Sequence, residues 1–337
     1  MMSKKVLVTG GCGYIGAHTI VDLIENGYDP ICIDDNSKST TELLKGVHQI
    51  TGVNIENNCI DLTDLHSLEQ FFSKENDLYG IIHFAAFKSV NESLQIPLDY
   101  MNNNLKSLLN ILSLVQKYKV PNFIFSSSCS VYGNASEIPV SESTVLAKAE
   151  SPYGLSKKIG EEIIESVSNI GDTKFVSLRY FNPAGAHMSG LIGEVPLDKP
   201  SNLVPAITFF ASGKLTELNV FGTDYDTRDG SCIRDFVHVS DISHAHTKAL
   251  ENAHKVGDSY QVYNLGTGLG VTVLETIKAF EEVTGIKLNY KKAARRDGDV
   301  VAIYAESKRA EKFLNWVPKY SLKDIMKTAW TWEQKNI

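Results

Sequence analysis

Short apolar runs alternate with amphipathic stretches through the first half of the chain, the rhythm of parallel strands joined by helices. Val6-Leu7-Val8-Thr9 predicts a first strand, which runs into Gly10-Gly11-Cys12-Gly13-Tyr14-Ile15-Gly16. Ala17 to Glu25 then predicts a helix, stopped at Asn26-Gly27. Ile31-Cys32-Ile33 predicts a second strand closed by Asp34-Asp35, and Asn58-Cys59-Ile60-Asp61-Leu62 the end of a third, more polar one. Gly80 to Ala86 is almost wholly apolar, as expected of a fourth strand buried on both faces. Leu105, Leu108, Leu109 and Leu112 recur at helical spacing between Asn102 and Tyr118, ahead of Val120-Pro121. Phe123-Ile124-Phe125 and Phe175 to Tyr180 predict the fifth and sixth strands.

From residue 181 the rhythm fails. Asn182-Pro183-Ala184-Gly185-Ala186-His187 opens a stretch rich in glycine and proline that reaches about Gly230. Ile233 to Val239, Tyr260 to Leu265 and a helix from Thr272 supply its later regular elements. The expected fold is α/β: a Rossmann-type, doubly wound, mostly parallel sheet over residues 1–180. A smaller C-terminal α/β substrate-binding lobe is expected over 181–337, with some segments returning to the main sheet.

The first strand and helix are joined by glycines that satisfy G-x-G-x-x-G (Gly11, Gly13, Gly16) and the wider spacing of Gly10, Gly13 and Gly16. Such glycines give a tight turn, close approach to a pyrophosphate and close helix–strand contact. The N–H groups that open the helix then face the phosphates. Asp34 follows the second strand 21 residues past Gly13, where an acid accepts hydrogen bonds from a ribose. A carboxylate there repels a 2′-phosphate, so NAD is expected rather than NADP. Ser126, Ser127, Ser128 and Ser130 crowd the end of the fifth strand, the sheet edge at which α/β ligands bind.

Tyr153-Gly-Leu-Ser-Lys157 places a phenol and an ammonium one helical turn apart on one face. A free tyrosine ionises only near pH ~10, and a neighbouring cation pulls that value toward the working range of a general base. Ser151-Pro152 predicts an N-cap and a first-position proline, which puts Tyr153 in the first turn, where the helix dipole also favours an anion.

Composition narrows the partners. The 337 residues carry a net charge of −7, which disfavours nucleic acid and anionic membranes, and no stretch is long enough to span a bilayer. Five scattered cysteines without a C-x-x-C pair, and an N-terminal apolar run too short for a signal peptide, point to a reduced, cytoplasmic protein. No metal is expected: His244 and His246 are two apart on a predicted helix and point to different sides. The basic cluster Lys291-Lys292 and Arg295-Arg296 is followed by acids and reads as a diphosphate site.

TGGCGYIG, SSSCSVYG, SPYGLSK, RYFNPAGAH, IRDFVHV and RRDGD together resemble the extended short-chain dehydrogenase/reductase superfamily. Within it the chain resembles the UDP-glucose 4-epimerase family from Val6 to about Trp332. The resemblance implies reversible epimerisation of UDP-galactose and UDP-glucose at C4 through a 4-keto sugar, in galactose metabolism, with NAD retained as a prosthetic group. It implies Tyr153 as the base at the sugar 4-hydroxyl, Lys157 as the residue that lowers its pKa and holds the nicotinamide ribose, and Ser128 as the bridging hydroxyl. Gly10, Gly13, Tyr14, Ile15, Gly16, Asp34, Asn36, Asp61 and Leu62 match the cofactor cleft. Phe84, Ala85, Ala86, Lys88, Asn103, Ser126 and Tyr180 match it too, Lys88 serving the substrate as well. Phe181 and Asn182 match the sugar-side wall, Asn202 and Leu203 the nucleotide loop, and Arg234 and Arg296 the pair that grips the diphosphate. Asp299 and Ile303 fall on the substrate side. A homodimer through helices matching 91–118 and 153–170 is also implied.

Three features depart from the family pattern. Asp35 to Lys38 is shortened, Phe236 stands where some relatives have tyrosine, and Ile303 is intermediate in bulk where size governs N-acetylated sugars. Acceptance of UDP-GlcNAc is therefore open. Two other readings remain at this point: a nucleotide-sugar dehydratase or decarboxylase of the same superfamily, and a cofactor-binding regulator without chemistry. Cys129-Ser130 in place of an acid pair argues against dehydration, and the complete Ser128, Tyr153 and Lys157 set against a regulator.

Overall fold

The glycine turn sets the architecture. In a computed structural model, which describes residues 4–196, 199–296 and 299–336, β1 (Lys4–Thr9) leads through it into α1 (Tyr14–Glu25) and back to β2 (Tyr28–Ile33). Met1-Met2-Ser3 at the start, and Asp297-Gly298 of the RRDGD motif, lie outside the described residues. Next come α2 (Glu42–Thr51), β3 (Asn57–Asn58), α3 (Leu65–Lys74), β4 (Gly80–His83), α4 (Val90–Gln95) and α5 (Pro97–Lys117). β5 (Asn122–Ser128), α6 (Pro152–Val167) and β6 (Lys174–Tyr180) complete the first half.

All seven strands of the main sheet are parallel, and the last belongs to the second half of the chain: β11, Tyr260–Leu265, pairs with β6. The spatial order β3-β2-β1-β4-β5-β6-β11 reverses direction between β1 and β4, which opens a crevice at their carboxyl ends. Side chains alternate across β1 as a period of two requires. Val6 and Val8 enter one apolar layer, with Ile20, Leu23, Val47 and Trp316, while Leu7 enters the other, with Phe72, Leu108, Phe123 and Ile164. Each such fully buried aliphatic side chain contributes roughly 1.5–3 kcal/mol.

The remaining elements form a lobe with its own apolar cluster around Val204, Ile207, Phe280 and Met326. They are β7 (Asn182–Ala184), α7 (Leu203–Ala211), β8 (Leu218–Phe221), β9 (Ile233–Arg234), β10 (Phe236–His238) and α8 (Val239–Asn252). After β11 follow β12 (Val271–Thr272), α9 (Val273–Thr284), β13 (Tyr290–Ala293) and α10 (Leu322–Lys335). α8 returns to the main sheet, its Ile242, Ala245 and Ala249 joining the layer that contains α1.

Several expected boundaries differ, four of them instructively. The third strand is only two residues long, because Asn57 and Asn58 spend their side-chain amides on the Asp34 and Cys32 carbonyls, each at 2.9 Å, and Cys59 to Leu62 leave the sheet. The fourth ends at His83 rather than Ala86: Phe84 N still reaches Thr9 O, but Ala85 N turns to the Thr9 hydroxyl. The helix expected from Asn102 begins at Pro97, with proline in the first turn, where its missing N–H costs nothing. The expected strand 233–239 is broken at Asp235, so β9 pairs with β12 and β10 with β7. The buried Asp235 carboxylate accepts from the backbone N–H groups of Thr267, Gly268 and Ala305 at 2.9–3.1 Å, and those bonds displace a continuous ladder.

Candidate active site

The crevice begins where β1 ends. Gly10 adopts φ +72°, and a Cβ there would lie 2.8 Å from Ala85 N, so glycine is required both by conformation and by space. A Cβ on Gly16 would strike the Gly10 carbonyl oxygen. Gly13 caps α1 without a side chain, which leaves the N–H groups of Tyr14, Ile15 and Gly16 facing the turn. Tyr14 donates its hydroxyl to Gly185 O at 2.6 Å, across to the lobe.

Asp34 closes β2. Its Oδ2 accepts from Cys12 N at 3.1 Å, and its Oδ1 from Asn36 N at 3.0 Å and Ser39 Oγ at 2.7 Å. Burial pushes its carboxyl up, and these hydrogen bonds pull it back. Asn36 sits at φ +58° with its side-chain oxygen held by Asn57. Asp61 is exposed and accepts from Thr63, while Leu62 is buried and its carbonyl accepts from Asn110 at 2.8 Å. On the β4 side Phe84, Ala85 and Ala86 line the loop opposite Gly10, and Asn103 donates to Asn104 at 3.1 Å. A glycine cradle that any Cβ would fill, free helix N–H donors and a carboxylate at the second strand's end form a donor set that fits NAD.

Tyr153, Lys157 and Ser128 meet at the ends of β5 and α6. Ser151 Oγ caps α6 by accepting from Gly154 N at 3.1 Å, with Pro152 in the first turn as expected. The Ser128 hydroxyl accepts from Ser130 N and Ser130 Oγ at 3.2 and 3.0 Å. Ser126 bonds the Tyr180 hydroxyl beneath them. Lys157 donates to Ser126 O at 2.7 Å and lies 4.9 Å from the Phe125 ring centroid and 6.0 Å from that of Tyr153.

Burial works against the expected acidification of Tyr153 by Lys157. Burial pushes Tyr153 up to about 12, and the Ser128 hydroxyl offsets only part of that rise. Burial drives the lysine down to about 7, against the charge of Glu161. Desolvation is the largest influence on both groups, and the amine donates to a strand carbonyl.

On the lobe side Arg234 and Arg296 are brought together by one carboxylate. Arg234 Nη2 lies 3.2 Å from Asp299 Oδ1, and Arg296 Nε 3.0 Å from Asp299 Oδ2. Phe181 stacks on Tyr132, and Ile303 is buried in the same cluster. Asn182 Oδ1 is buried with no hydrogen-bond partner among the described residues. Asn202, which caps α7 ahead of Leu203 without a side-chain bond to that helix, donates instead to Glu194 Oε1 at 2.9 Å, and Lys88 reaches the same oxygen at 3.2 Å. His244 and His246 point to different partners, Asp22 and Ile242 O.

Sequence reasoning missed Glu194 and Asn104. Asn104 is buried, accepts from Phe87 N at 2.8 Å and donates to Ser156 Oγ at 3.0 Å, tying the loop after β4 to α6. Its signal was a polar residue one turn after Tyr100 and one turn before Leu108, on the inward face of α5. Glu194 lies in irregular chain and gave no periodic signal.

The family model described as GDP-mannose 4,6 dehydratase matches residues 7–329. The UDP-glucose 4-epimerase of Pasteurella multocida is 43% identical over 98% of this chain and 98% of the relative. The chain belongs to both families, the dehydratase-named one and the UDP-glucose 4-epimerases. The human UDP-glucose 4-epimerase is 42% identical over 99% of this chain and 98% of its own. Among solved structures, the UDP-glucose 4-epimerase of Bifidobacterium longum in complex with NAD+ and UDP superposes with a TM-score of 0.94 at 41% identity, covering 99% of both chains. That of Stenotrophomonas maltophila, with bound NAD and formylated UDP-arabinopyranose, gives 0.95 at 37% identity over 99% of this chain and 98% of its own.

Proposed function

We propose that this chain interconverts UDP-galactose and UDP-glucose by inverting C4 of the hexose, with NAD as resident cofactor. The observation that carries the reading is the meeting of Ser128, Tyr153 and Lys157 beside a glycine cradle that fits a dinucleotide, in a chain 43% identical to a UDP-glucose 4-epimerase. When bound, NAD supplies reversible hydride acceptance and a positively charged ring. Gly10, Gly13, Tyr14, Ile15 and Gly16 hold its pyrophosphate and Asp34 its adenosine ribose, with Asn36, Asp61 and Leu62 toward the adenine. Phe84, Ala85, Ala86, Lys88, Asn103, Ser126 and Tyr180 complete that cleft.

Tyr153 takes the proton of the sugar 4-hydroxyl, and Ser128 bridges the two oxygens. Lys157 supplies positive charge and a ribose contact. A phenol buried this deeply needs further positive charge beside it to ionise near neutrality, which ties its basicity to the loaded site. Arg234 and Arg296 grip the diphosphate by exchanging Asp299 for phosphate oxygens, while Asn202, Leu203 and Lys88 hold the nucleotide end. Phe181, Asn182 and Ile303 line the hexose space. The sugar is held chiefly through its UDP handle, so a 4-keto intermediate can turn and present its other face.

Dehydration, which the family model's description raises, needs an acid to expel the C6 hydroxyl, and the residues after Ser128 are Cys129 and Ser130. A homodimer is supported by exposed leucines on α5 and α6: Leu98 is 80%, Leu109 50% and Leu155 41% exposed. A cytoplasmic setting is supported by five free thiols, two of which, Cys12 and Cys32, lie 3.8 Å apart without a disulfide. Among the described residues, no helix is long and apolar enough to cross a membrane.

Incubation of the purified protein with UDP-galactose tests the reading: UDP-glucose should accumulate to equilibrium without net release of reduced nicotinamide. A 4-keto-6-deoxy product would replace it with the dehydratase reading, and stoichiometric reduction of added NAD with an ordinary dehydrogenase.

A further inference from the structure

One turn beyond Lys157, α6 carries a buried carboxylate that the reaction as described does not use. Glu161 is 5% exposed, as is Arg179 of β6, and the two form a forked pair with Arg179 Nε 2.9 Å from Glu161 Oε1. Ser127 donates its hydroxyl to the same Oε1. Arg179 Nη1 reaches the Tyr132 hydroxyl at 3.1 Å, and Tyr132 donates to Asn264 at 2.7 Å. Two consecutive residues of β5 are thereby tied to two consecutive turns of α6. Ser126 accepts from Lys157 through its carbonyl, and Ser127 donates to Glu161 through its hydroxyl. The next strand residue is Ser128, and the turn before Lys157 carries Tyr153.

Buried ion pairs add little net stability over apolar residues of similar volume. This one lies along the helix at the spacing that faces Lys157. We propose that Glu161, held by Arg179, is a positioning residue for the epimerisation: it fixes α6 in register on β5 and sets a carboxylate one turn from the Lys157 amine. The inference rests on the roles given to Tyr153 and Lys157 above.

The other groups around the amine cannot do this. Tyr153, on its own helix, is pushed up by burial and carries a negative charge only where it acts as the base. His83, from β4, is driven by burial to about 3 and is neutral. From β5 come the Ser126 carbonyl and the Phe125 ring, and from β6 the neutral Tyr180, bonded to Ser126. Among these described residues, only Tyr153 can become an anion, and only as the reacting base. Glu161 is the charge that opposes the desolvation of Lys157. Burial works against Arg179 too, but the Glu161 carboxylate more than offsets it and holds the guanidinium charged.

The test is kcat against pH for UDP-galactose in the NAD-loaded Glu161→Gln enzyme. Gln keeps an acceptor for Ser127 but removes the carboxylate one turn from Lys157 and leaves Arg179 without its counter-charge. The alkaline limb should move about one pH unit toward acid, a roughly tenfold loss on that side. KM should hold, and so should the acid limb. Should that variant fail to fold, Glu161→Gln with Arg179→Met leaves no unpaired buried charge; its limb should lie between wild type and the single variant. An alkaline limb at the wild-type position in whichever of these variants folds, with kcat merely scaled, would overturn the proposal and leave Glu161 a structural residue. Tyr153→Phe, run alongside, separates the two levels. If it stays active, the base assignment has failed; if it is inactive while the limb is unmoved, only the role of Glu161 has.

Discussion

Lys157 gives its hydrogen bond to the carbonyl oxygen of Ser126, 2.7 Å away, and not to the phenol of Tyr153. The amine is thereby fixed to the strand that ends at Ser128, and burial, more than any partner, sets its charge.

That burial has a consequence for stability. Its folded pKa, about 7, lies below the lysine value of 10.5, so between these limits the unfolded chain binds a proton that the folded chain does not. The penalty is fully present below pH 7 and is relieved as pH rises toward 10.5. In the cofactor-free protein this one group should raise unfolding free energy by at most about 1.4 kcal/mol per pH unit across that window. Urea unfolding of wild type and Lys157→Met at several pH values checks it: the difference between them should shrink or reverse as pH rises.

Asp34 holds two things, the acceptor position for a ribose and the loop after β2 through Cys12 N, Asn36 N and Ser39 Oγ. Asp34→Ala should cost about 1.5–3 kcal/mol of cofactor affinity, as loss of a charged hydrogen-bonding partner does. The NAD content of the protein as purified reads this directly, and an unchanged content would remove Asp34 from the cofactor site.

Arg234 and Arg296 share Asp299. Arg234→Ala should raise KM for the UDP-sugar on the order of tenfold or more while kcat changes less, because a diphosphate grip serves ground state and transition state alike. Steady-state kinetics with UDP-galactose, and calorimetric titration with UDP, measure both sides of that split.

Asp235 was legible only as part of a strand. Its carboxylate accepts from three backbone N–H groups and from the Thr267 hydroxyl, and it is wholly buried. Asp235→Asn would turn an amide N–H toward donors and should lower unfolding free energy by about 1–3 kcal/mol or more. Denaturant melts of the two proteins give the difference.

What the chain revealed in advance follows from where its signals are local. The glycine turn, the Ser151-Pro152 cap and the place of Tyr153 and Lys157 were readable, because turn geometry and helical spacing are fixed by a few neighbouring residues. Phe84 to Ala86 and Cys59 to Leu62 misled, because a run of apolar residues does not show where a side chain such as Thr9 or Asn58 takes over the ladder. The Glu161–Arg179 and Lys88–Glu194 pairs were invisible for a different reason: they join residues 18 and 106 positions apart, and no periodicity records such a meeting. Spacing reports the cation near Tyr153 but not the burial that acts on both groups.

Replacement of Tyr153 by phenylalanine tests the chemistry most directly, since it removes one oxygen and leaves the ring that packs the site. In the NAD-loaded protein, conversion of UDP-galactose should fall by about two to four orders of magnitude, the range of a lost general base. UDP should still bind with wild-type affinity. Turnover within a few-fold of wild type in that variant would contradict Tyr153 as the base, and with it the epimerisation mechanism proposed for this fold.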